Sequence, residues 1–348
     1  MQVCGFKKRR LIPVQALVWI AAVACGSDST GPQFSPEPPA SSVPTYKLAY
    51  TTGLSASVVV IESGKSSITI LPGPDIPTQP GWSPTGKRLA FATVSTSEQT
   101  LFVWDADTNV LTQVATLVPS TSCSKGSCTV VEPPFSPAWS RDGSRLAFLS
   151  RGILRIAAFD GSATQSVSSP TVVAVANSLH WSYDGASLLF ATDSSLLSIP
   201  VAGATAFSKF ASGFESAAVV AGFDLSPDGK KIAIATSGKL YIQDVAGGSR
   251  ITVDANSFFP PAWSPDGKQV AVVTGPSWLD SQAVFVVNRD GSSFRRVTSE
   301  LMFSRAAWLP DGMNVVYGAG GGIAIANVAG GGTQVVATPA GEFAVASK

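Results

Sequence analysis

The sequence has little charge and almost no histidine. Among its 348 residues are 24 lysines and arginines, 23 aspartates and glutamates, and one histidine. The near-zero net charge argues against the strongly basic surface that binding to a nucleic-acid backbone requires. One histidine cannot support a multi-histidine zinc or iron site, and any Ser-His-Asp triad would have to use that single imidazole. We therefore expect no metal, no cofactor and no nucleic-acid partner.

Long hydrophobic runs and helix-forming residues are also scarce. After the first 24 residues, no apolar run approaches the roughly 18 to 20 residues that a membrane span requires. The chain instead contains 32 glycines, 24 prolines and 18 phenylalanines, with many Val, Ser and Thr, which favours β structure. Its 45% hydrophobic content excludes an intrinsically disordered chain.

Residues 1–24 are predicted to be an export signal. Four basic residues, Lys7 to Arg10, precede an apolar stretch that is too short for a stable transmembrane helix. The stretch ends in Ala22-Val23-Ala24-Cys25, which resembles the lipobox of bacterial lipoproteins, where small residues precede a cysteine that is acylated after cleavage. We expect lipidation at Cys25, and an ordinary secretory peptide cut at the same place is the alternative.

Residues 25–45 are predicted to be a flexible tether, because they are rich in Ser, Pro and Gly and show no apolar periodicity. Residues 46–348 would then form a monomeric exported domain, held to a membrane only through the N-terminal lipid. We expect it on the periplasmic face of the outer membrane or on the cell surface. Removing the signal takes four of the 24 basic residues and leaves 20 against 23 acidic ones, a formal charge of −3.

Two cysteines lie in the exported part. Cys123 and Cys128 flank a short segment that contains Gly126, which suits a tight turn. In an oxidising compartment such a pair forms a local disulfide. Because the ring is short, the bond would fix a loop and would contribute little to holding the fold together.

A five-residue block organises the sequence from residue 46 onward. Between the first and the last copy lie five intervals over 226 residues, a mean period of 45 that is typical of the blades of a β-propeller. In the block, Ser and Asp can cap backbone groups, Pro presets φ early in the turn, and Gly accepts positive φ at its end. The block therefore predicts a tight reversal of the chain. The six copies are Trp82 to Gly86, Trp139 to Gly143, Trp181 to Gly185, Leu225 to Gly229, Trp263 to Gly267 and Trp308 to Gly312.

A strongly apolar segment follows every block, as in Leu89-Ala-Phe-Ala92 and Ile232-Ala-Ile-Ala235. Such segments indicate strands buried on both faces. Each repeat therefore predicts four strands: strand a ending at the Trp, the turn, and then strands b, c and d. These residues resemble the TolB-type WD40-like β-propeller repeat over nearly all of residues 46–348. The departures are Thr85, Leu225 and Leu309. TolB itself has six blades and an N-terminal α/β domain that has no counterpart in this sequence.

The two ends of the domain indicate the number of blades. Three predicted strands before the first block, Lys47 to Thr52, Val58 to Glu62 and Ser67 to Leu71, lack a strand a, and Gly341 to Ser347 can supply it. This pairing would close the ring and hide its edge strands. The 302 residues from Tyr46 to Ser347 give about 43 per blade for seven blades and about 50 for six. We expect an all-β propeller of seven four-stranded blades, with six as the alternative.

Residues shared by the repeats are interpreted as scaffold: the Trp residues pack between blades and the Asp residues cap turns. Function is then expected where the repeats differ, on the face that carries the d-to-a and b-to-c connections. The candidate binding surface there consists of Trp278, Asp280, Phe214, Phe258, Phe259, Phe303 and His180. His180 stands where other blades have Ala, and it is interpreted either as a channel-facing functional group or as a hydrogen-bonded structural residue.

No catalytic constellation is recognisable, so we expect a non-enzymatic module that binds or scaffolds another protein, or a glycan, of the bacterial envelope. One alternative is a glycan-active hydrolase or lyase that uses carboxylates such as Asp280, Glu215 or Glu300. The other is a passive spacer with no ligand of its own.

Overall fold

The computed structural model describes most of the chain beyond residue 43. The described residues are 44–52, 57–70, 75–94, 99–117, 121–124, 127–130, 137–150, 153–167, 178–203, 206–215, 218–275, 282–298, 305–320, 322–338 and 341–347. None of them forms a helix that is long and apolar enough to cross a membrane.

These residues form 29 strands. In chain order the strands are β1 (Lys47–Thr51), β2 (Val58–Glu62), β3 (Ile68–Ile70), β4 (Ile76–Trp82), β5 (Arg88–Val94), β6 (Gln99–Asp105), β7 (Val110–Leu117), β8 (Thr121–Ser124), β9 (Ser127–Val130), β10 (Ala138–Trp139), β11 (Arg145–Ser150), β12 (Ile153–Ala158), β13 (Thr164–Ser166), β14 (Leu179–Trp181), β15 (Ser187–Ala191), β16 (Leu196–Pro200), β17 (Ser208–Ala211), β18 (Val220–Leu225), β19 (Lys231–Asp244), β20 (Arg250–Asn256), β21 (Ala262–Trp263), β22 (Gln269–Thr274), β23 (Ala283–Asn288), β24 (Arg295–Arg296), β25 (Ala306–Trp308), β26 (Asn314–Ala319), β27 (Gly322–Asn327), β28 (Thr333–Ala337) and β29 (Phe343–Val345).

The strands form seven antiparallel blades, which confirms the predicted fold. The first blade has the order β29-β1-β2-β3, so the last strand of the chain pairs with the first. Leu48, Ala49 and Tyr50 lie opposite Val345, Ala344 and Phe343, respectively. The predicted closure by the two ends of the domain is therefore confirmed, and both edges that an open ring would expose are paired.

The other blades follow in chain order: β4–β7, β10–β13, β14–β17, β18–β20, β21–β24 and β25–β28. In the fifth blade, β19 supplies both strands b and c, because it folds back at Ser237 and Gly238. The backbone N–H of Val245 donates to the carbonyl of Lys230, the contact that Ala106 makes with Lys87 in the second blade. A separate hairpin, β8–β9, lies between the second and third blades and was not predicted from the sequence.

The core is divided among the seams between blades. Seven clusters of buried hydrophobic side chains occur in the described residues, and each joins two adjacent blades. The b strands carry fully buried rings such as Phe91, Phe148 and Phe190, as expected for strands covered on both faces. Stability therefore depends on side-chain packing from blade to blade around a complete ring.

The topology defines two faces. The a-to-b turns, which contain the repeated block, and the c-to-d turns lie on one side, called here the turn face. The b-to-c and d-to-a connections lie on the other side, called here the connection face. In the turn of the third blade, the Ser140 hydroxyl donates to the Asp142 carboxylate at 2.6 Å, and the backbone N–H of Ser144 donates to it at 3.1 Å. These bonds, that of Ser140 first, lower the pKa of Asp142 to about 2. The corresponding Ser-to-Asp bond recurs at Asp184, Asp228 and Asp266.

Candidate functional site: the inner strands and the connection face

The inner strands line the central channel, and six of the seven seams between them fall into two kinds. In the seventh, between the first and second blades, the indole N–H of Trp82 has no acceptor among the described residues. In the first kind, the indole N–H of a repeat Trp donates to a backbone carbonyl of the preceding blade. The four bonds measure 2.9 to 3.1 Å and join Trp139 to Gly81, Trp181 to Ala138, Trp263 to Asp224 and Trp308 to Ala262. The accepting residue in each case immediately precedes the block position of its own blade. The repeat Trp therefore locks one blade to the previous one, in agreement with its interpretation as scaffold.

Two blades have no Trp at this position, since the fifth has Leu225 and the first has Val345. Each of these inner strands instead carries a fully buried Phe two residues earlier, Phe223 or Phe343. The preceding blade then supplies the polar donor. In these two seams the hydrogen bond therefore runs in the opposite direction around the ring.

His180 is the donor in the seam between the fourth and fifth blades. Its ring lies against that of Phe223, with centroids 4.7 Å apart, and it donates a hydrogen bond to the Phe223 backbone. Burial is the main cause that lowers the pKa of His180 to about 4; the bond to Phe223 opposes the shift, and the positive charge of Arg305 adds to it. The imidazole is therefore neutral at pH 7. This position supports the structural interpretation of His180.

Arg305 has the same role in the seam between the seventh and first blades. Its Nη2 donates to the carbonyl of Phe343, and its guanidinium carbon lies 5.7 Å from the centroid of the Phe343 ring. Burial lowers the pKa of Arg305, and the charge of Glu342 opposes that shift. The bond to a carbonyl and the nearby carboxylate stabilise this half-buried guanidinium.

Asp224 stands at the inner-strand position of the fifth blade that His180 occupies in the fourth. Its carboxylate Oδ2 accepts the backbone N–H of Trp263 at 2.8 Å, and its carbonyl accepts the Trp263 indole N–H at 3.1 Å. Burial raises the pKa of Asp224 to about 6, although the bonds from the backbone of Trp263 and Leu225 partly oppose the shift. A carboxyl that titrates near neutrality is the type of group that often marks a functional site.

Asp224 and Arg305 were missed in the sequence, although the repeat contains the signal for both. Aligned on the block, Asp224 replaces the small residue found as Gly81, Ala138 or Ala262 in other blades. Arg305 stands three residues before Trp308. A comparison of the inner strands position by position, extended from His180 to every blade, would have found them.

The predicted binding surface is only partly described. Phe258 is 37% exposed on the connection face. Phe259 packs against the core cluster between the sixth and seventh blades. Phe214 lies 5.3 Å from the ring of Tyr241 and packs against the cluster between the fourth and fifth blades. Trp278, Asp280 and Phe303 lie outside the described residues, as do Cys25 and Glu300. The surface as a whole therefore stays a prediction, with Phe258 its most exposed described member.

Glu215, a candidate catalytic carboxylate, is engaged in an ion pair. Its Oε1 lies 3.5 Å from Nζ of Lys239, which also binds Asp254. Both carboxylates are more exposed than the lysine between them, since their side chains are 58% and 88% exposed. Among the described residues, no group of three His, Cys, Asp or Glu side chains is placed to hold a metal ion.

The two cysteines of the exported part lie on the β8–β9 hairpin. Cys123 and Cys128 are direct cross-strand partners in its register. Opposite positions on an antiparallel pair bring Cα atoms within the distance range of a disulfide. The backbone therefore suits the bond, which stays a prediction.

Comparison with solved structures agrees with this geometry. TolB from Acinetobacter baumannii matches with a TM-score of 0.50 and 19% identity, over 74% of this chain and 64% of that one. A putative TolB from Agrobacterium tumefaciens matches with a TM-score of 0.50 and 19% identity, over 70% of this chain and 89% of that one. The fold is that of the TolB and WD40-like β-propellers.

A solved structure described as an enzyme is also similar. A putative 6-phosphogluconolactonase from Bacteroides uniformis matches with a TM-score of 0.60 and 14% identity, over 86% of this chain and 99% of that one. At these identities the likeness establishes the propeller fold alone. The propeller also spans less than two thirds of the Acinetobacter TolB chain. No protein-family model and no curated protein matches the sequence.

Proposed function

We propose that the protein is an exported bacterial lipoprotein, anchored through an acylated Cys25, whose propeller binds or scaffolds another protein of the cell envelope. One observation carries the proposal: the chain enters the ring on the turn face, whereas the connections that vary between blades lie on the opposite face. The sequence of residues 1–24 supports the export and the anchor.

The chain enters the propeller on the turn face. Strand β1 is a b strand, so it starts on that face at Lys47, whose Nζ donates to the carbonyl of Gly86 in the neighbouring turn at 2.7 Å. The other end of the domain is held there too, since the Ser347 hydroxyl donates to the carbonyl of Pro84 at 2.9 Å. A tether that precedes residue 46 would therefore join the domain on the turn face, and the connection face would not be used for the attachment.

The connection face carries apolar side chains in contact with solvent. Val219 is 52% exposed and Phe258 is 37% exposed, and they precede the inner strands of the neighbouring fifth and sixth blades. Exposed apolar side chains on a rigid support are typical anchors of protein interfaces. The ring offers that support, because all seven seams are packed and the ends are paired.

Affinity capture with the lipid-anchored protein in its own envelope tests the proposal. The variant Val219→Ser with Phe258→Ser should lose a partner that the unaltered chain captures. Met313→Ser is the matched control, because Met313 is 58% exposed on the turn face. Capture of the same proteins by all three chains would contradict the assignment of the connection face.

The anchor needs a separate test. Intact mass measurement of the mature protein should show an acyl modification that begins at Cys25, and Cys25→Ser should release the propeller from the membrane fraction. The same mass, measured with and without reductant, tests the bond between Cys123 and Cys128. An unmodified N-terminus after residue 24 would leave an exported propeller without its anchor and would overturn that part of the proposal.

A further inference from the structure

A groove lies between the fourth and fifth blades, and one of its lining residues, Ser212, begins the d-to-a connection that leads to Val219. Its volume is about 580 Å³, within the range of small-molecule sites. Strand β17 of the fourth blade forms one wall, and strand β19 with the c-to-d turn of the fifth blade forms the other. The residues that line it include Lys209, Ser212, Gln243, Gly247, Gly248 and Arg250.

Arg250 is fixed in this groove. Its Nε donates to Oε1 of Gln243 at 2.8 Å, and its two Nη atoms donate to the carbonyls of Gly213 and Ser212 at 3.0 and 2.8 Å. Its guanidinium carbon also lies 5.3 and 5.2 Å from the ring centroids of Phe214 and Tyr241. A guanidinium held at so many points loses little further entropy when it binds a ligand.

The same contacts use the hydrogen-bond acceptors of the groove. The carbonyl of Ser212 and the Oε1 of Gln243 already accept from Arg250, so the amide group of Gln243 presents its N–H donors. Arg250 has five N–H groups, of which these three bonds use three, and Lys209 adds an exposed ammonium group. The groove is therefore rich in donors and poor in acceptors.

The charges of the lining residues also favour a negatively charged ligand. No carboxylate is among the residues that line the groove. Asp244, on the adjoining turn, binds Nζ of Lys231 through Oδ1 at 3.0 Å, and its Oδ2 lies near the lining residue Gly248. Two cationic side chains thus line the groove of a domain whose residues 46–348 include 20 basic and 21 acidic residues.

We propose that this groove binds a small molecule that carries an oxyanion, a carboxylate or a phosphate, through Arg250, Lys209 and the amide of Gln243. Charge-assisted bonds from these donors suit either group, since both present several acceptor oxygens. The proposal is independent of the membrane anchor and of the protein-binding face.

Titration calorimetry on the exported propeller, with galacturonate, galactose 6-phosphate and galactose as probes, tests it. The three sugars share one frame and differ in charge. At least one of the two anions should bind and galactose should not, and the affinity should fall as salt is added. The anion that binds more tightly identifies the preferred group, and either result supports the site.

Two variants locate the binding. Lys209→Gln removes a cation, and Gln243→Glu places a carboxylate in the groove while keeping an acceptor for Arg250. Each should weaken anion binding about tenfold or more, as expected for the loss of one charge-assisted contact. Lys65→Gln, at an exposed lysine of the first blade, should leave the affinity unchanged. Failure of both anions to bind, equal binding of galactose, or equal affinity in all variants would overturn the proposal.

Discussion

The imidazole of His180 contacts the ring of Phe223 in the next blade, with centroids 4.7 Å apart, and donates to the backbone of the same residue. Arg305 and Phe343 repeat this relationship in the other seam that lacks a repeat Trp. His180, which stands out in the sequence, and Arg305, which does not, are thus explained by the same structural need. Each replaces an indole N–H that the neighbouring inner strand does not supply.

The indole bonds give a direct test of seam stability. Trp181→Phe removes the bond to Ala138, whereas Trp82→Phe removes an indole N–H that has no acceptor among the described residues. Both Trp side chains are largely buried, so the loss of packing is similar. Trp181→Phe should cost about 1 kcal/mol more in the free energy of unfolding, measured by urea denaturation.

Each of the two rings also lies near a cation. Nζ of Lys47 lies 4.5 Å from the Trp82 ring centroid, the guanidinium carbon of Arg145 lies 4.8 Å from that of Trp181, and a Phe ring retains part of both attractions. The double variants Lys47→Met with Trp82→Phe and Arg145→Met with Trp181→Phe control for them. If Trp82→Phe proved as costly as Trp181→Phe in both backgrounds, the indole bond would not be what distinguishes the two seams.

Titration of His180 should reduce stability in acid. Its pKa is about 4 in the folded chain and near 6.5 when unfolded, so only the unfolded chain gains this proton as the pH falls from 6.5 toward 4. This contribution to stability is present above pH 6.5 and is lost over that window, with a slope of at most about 1.4 kcal/mol per pH unit. His180→Gln keeps an N–H donor toward Phe223 and should remove this contribution, so that stability falls less on acidification in denaturation curves taken across the window.

Asp224 should act with the opposite sign. Its pKa is about 6 when folded and 3.8 when unfolded, so the unfolded chain releases this proton first as the pH rises. Stability from this group is present below pH 3.8 and is lost as the pH rises through 6. Asp224→Asn should therefore make the protein relatively more stable above pH 6 and expose the full His180 slope below it. An identical pH profile for Asp224→Asn and the unaltered protein would show that the carboxyl is not shifted.

Two glycines at equivalent positions on the turn face differ in the space around them. Gly229 and Gly185 both adopt positive φ, at 68° and 70°, in the same turn of adjacent blades. An added Cβ would lie 2.2 Å from the Tyr183 ring at Gly229, but nothing lies within 4 Å at Gly185. Gly229→Ala should therefore lower the thermal midpoint more than Gly185→Ala, although both incur the backbone strain of Ala at positive φ.

The contribution of Tyr183 can be separated from that strain. Other blades have Pro at the Tyr183 position, as at Pro84 and Pro227. In a Tyr183→Pro background, the two Gly-to-Ala changes should therefore become similar in cost. A larger loss at Gly229 that persisted in this background would show that the ring is not responsible.

The block and its period were sufficient to predict the blades. Every copy joins a turn that requires specific φ values to a strand that is buried on both faces. The closure of the ring could also be predicted, since Lys47 to Leu71 has three strands and no block. The seams are different. The bonds from His180 to Phe223 and from Asp224 to Trp263 cross between blades, and no spacing within one repeat encodes which neighbour supplies a donor.

The candidate surface was less predictable for a related reason. Phe214 and Phe259 look like exposed aromatics in the sequence, yet both pack against core clusters. Exposure in a connection depends on how the segment folds over the blade beneath it. The groove likewise depends on Arg250, which contacts Ser212 and Gly213. These residues lie 38 and 37 positions before it in the sequence.

Site-specific photo-crosslinking in the intact envelope tests the central claim most directly. A photo-reactive amino acid is placed at Phe258, at Val219 or, as the control, at Met313 of the anchored protein. The account predicts adducts with the same partner protein from positions 258 and 219 and none from position 313. Adducts only from position 313, or none from either position on the connection face, would contradict a binding module that presents this face away from its anchor.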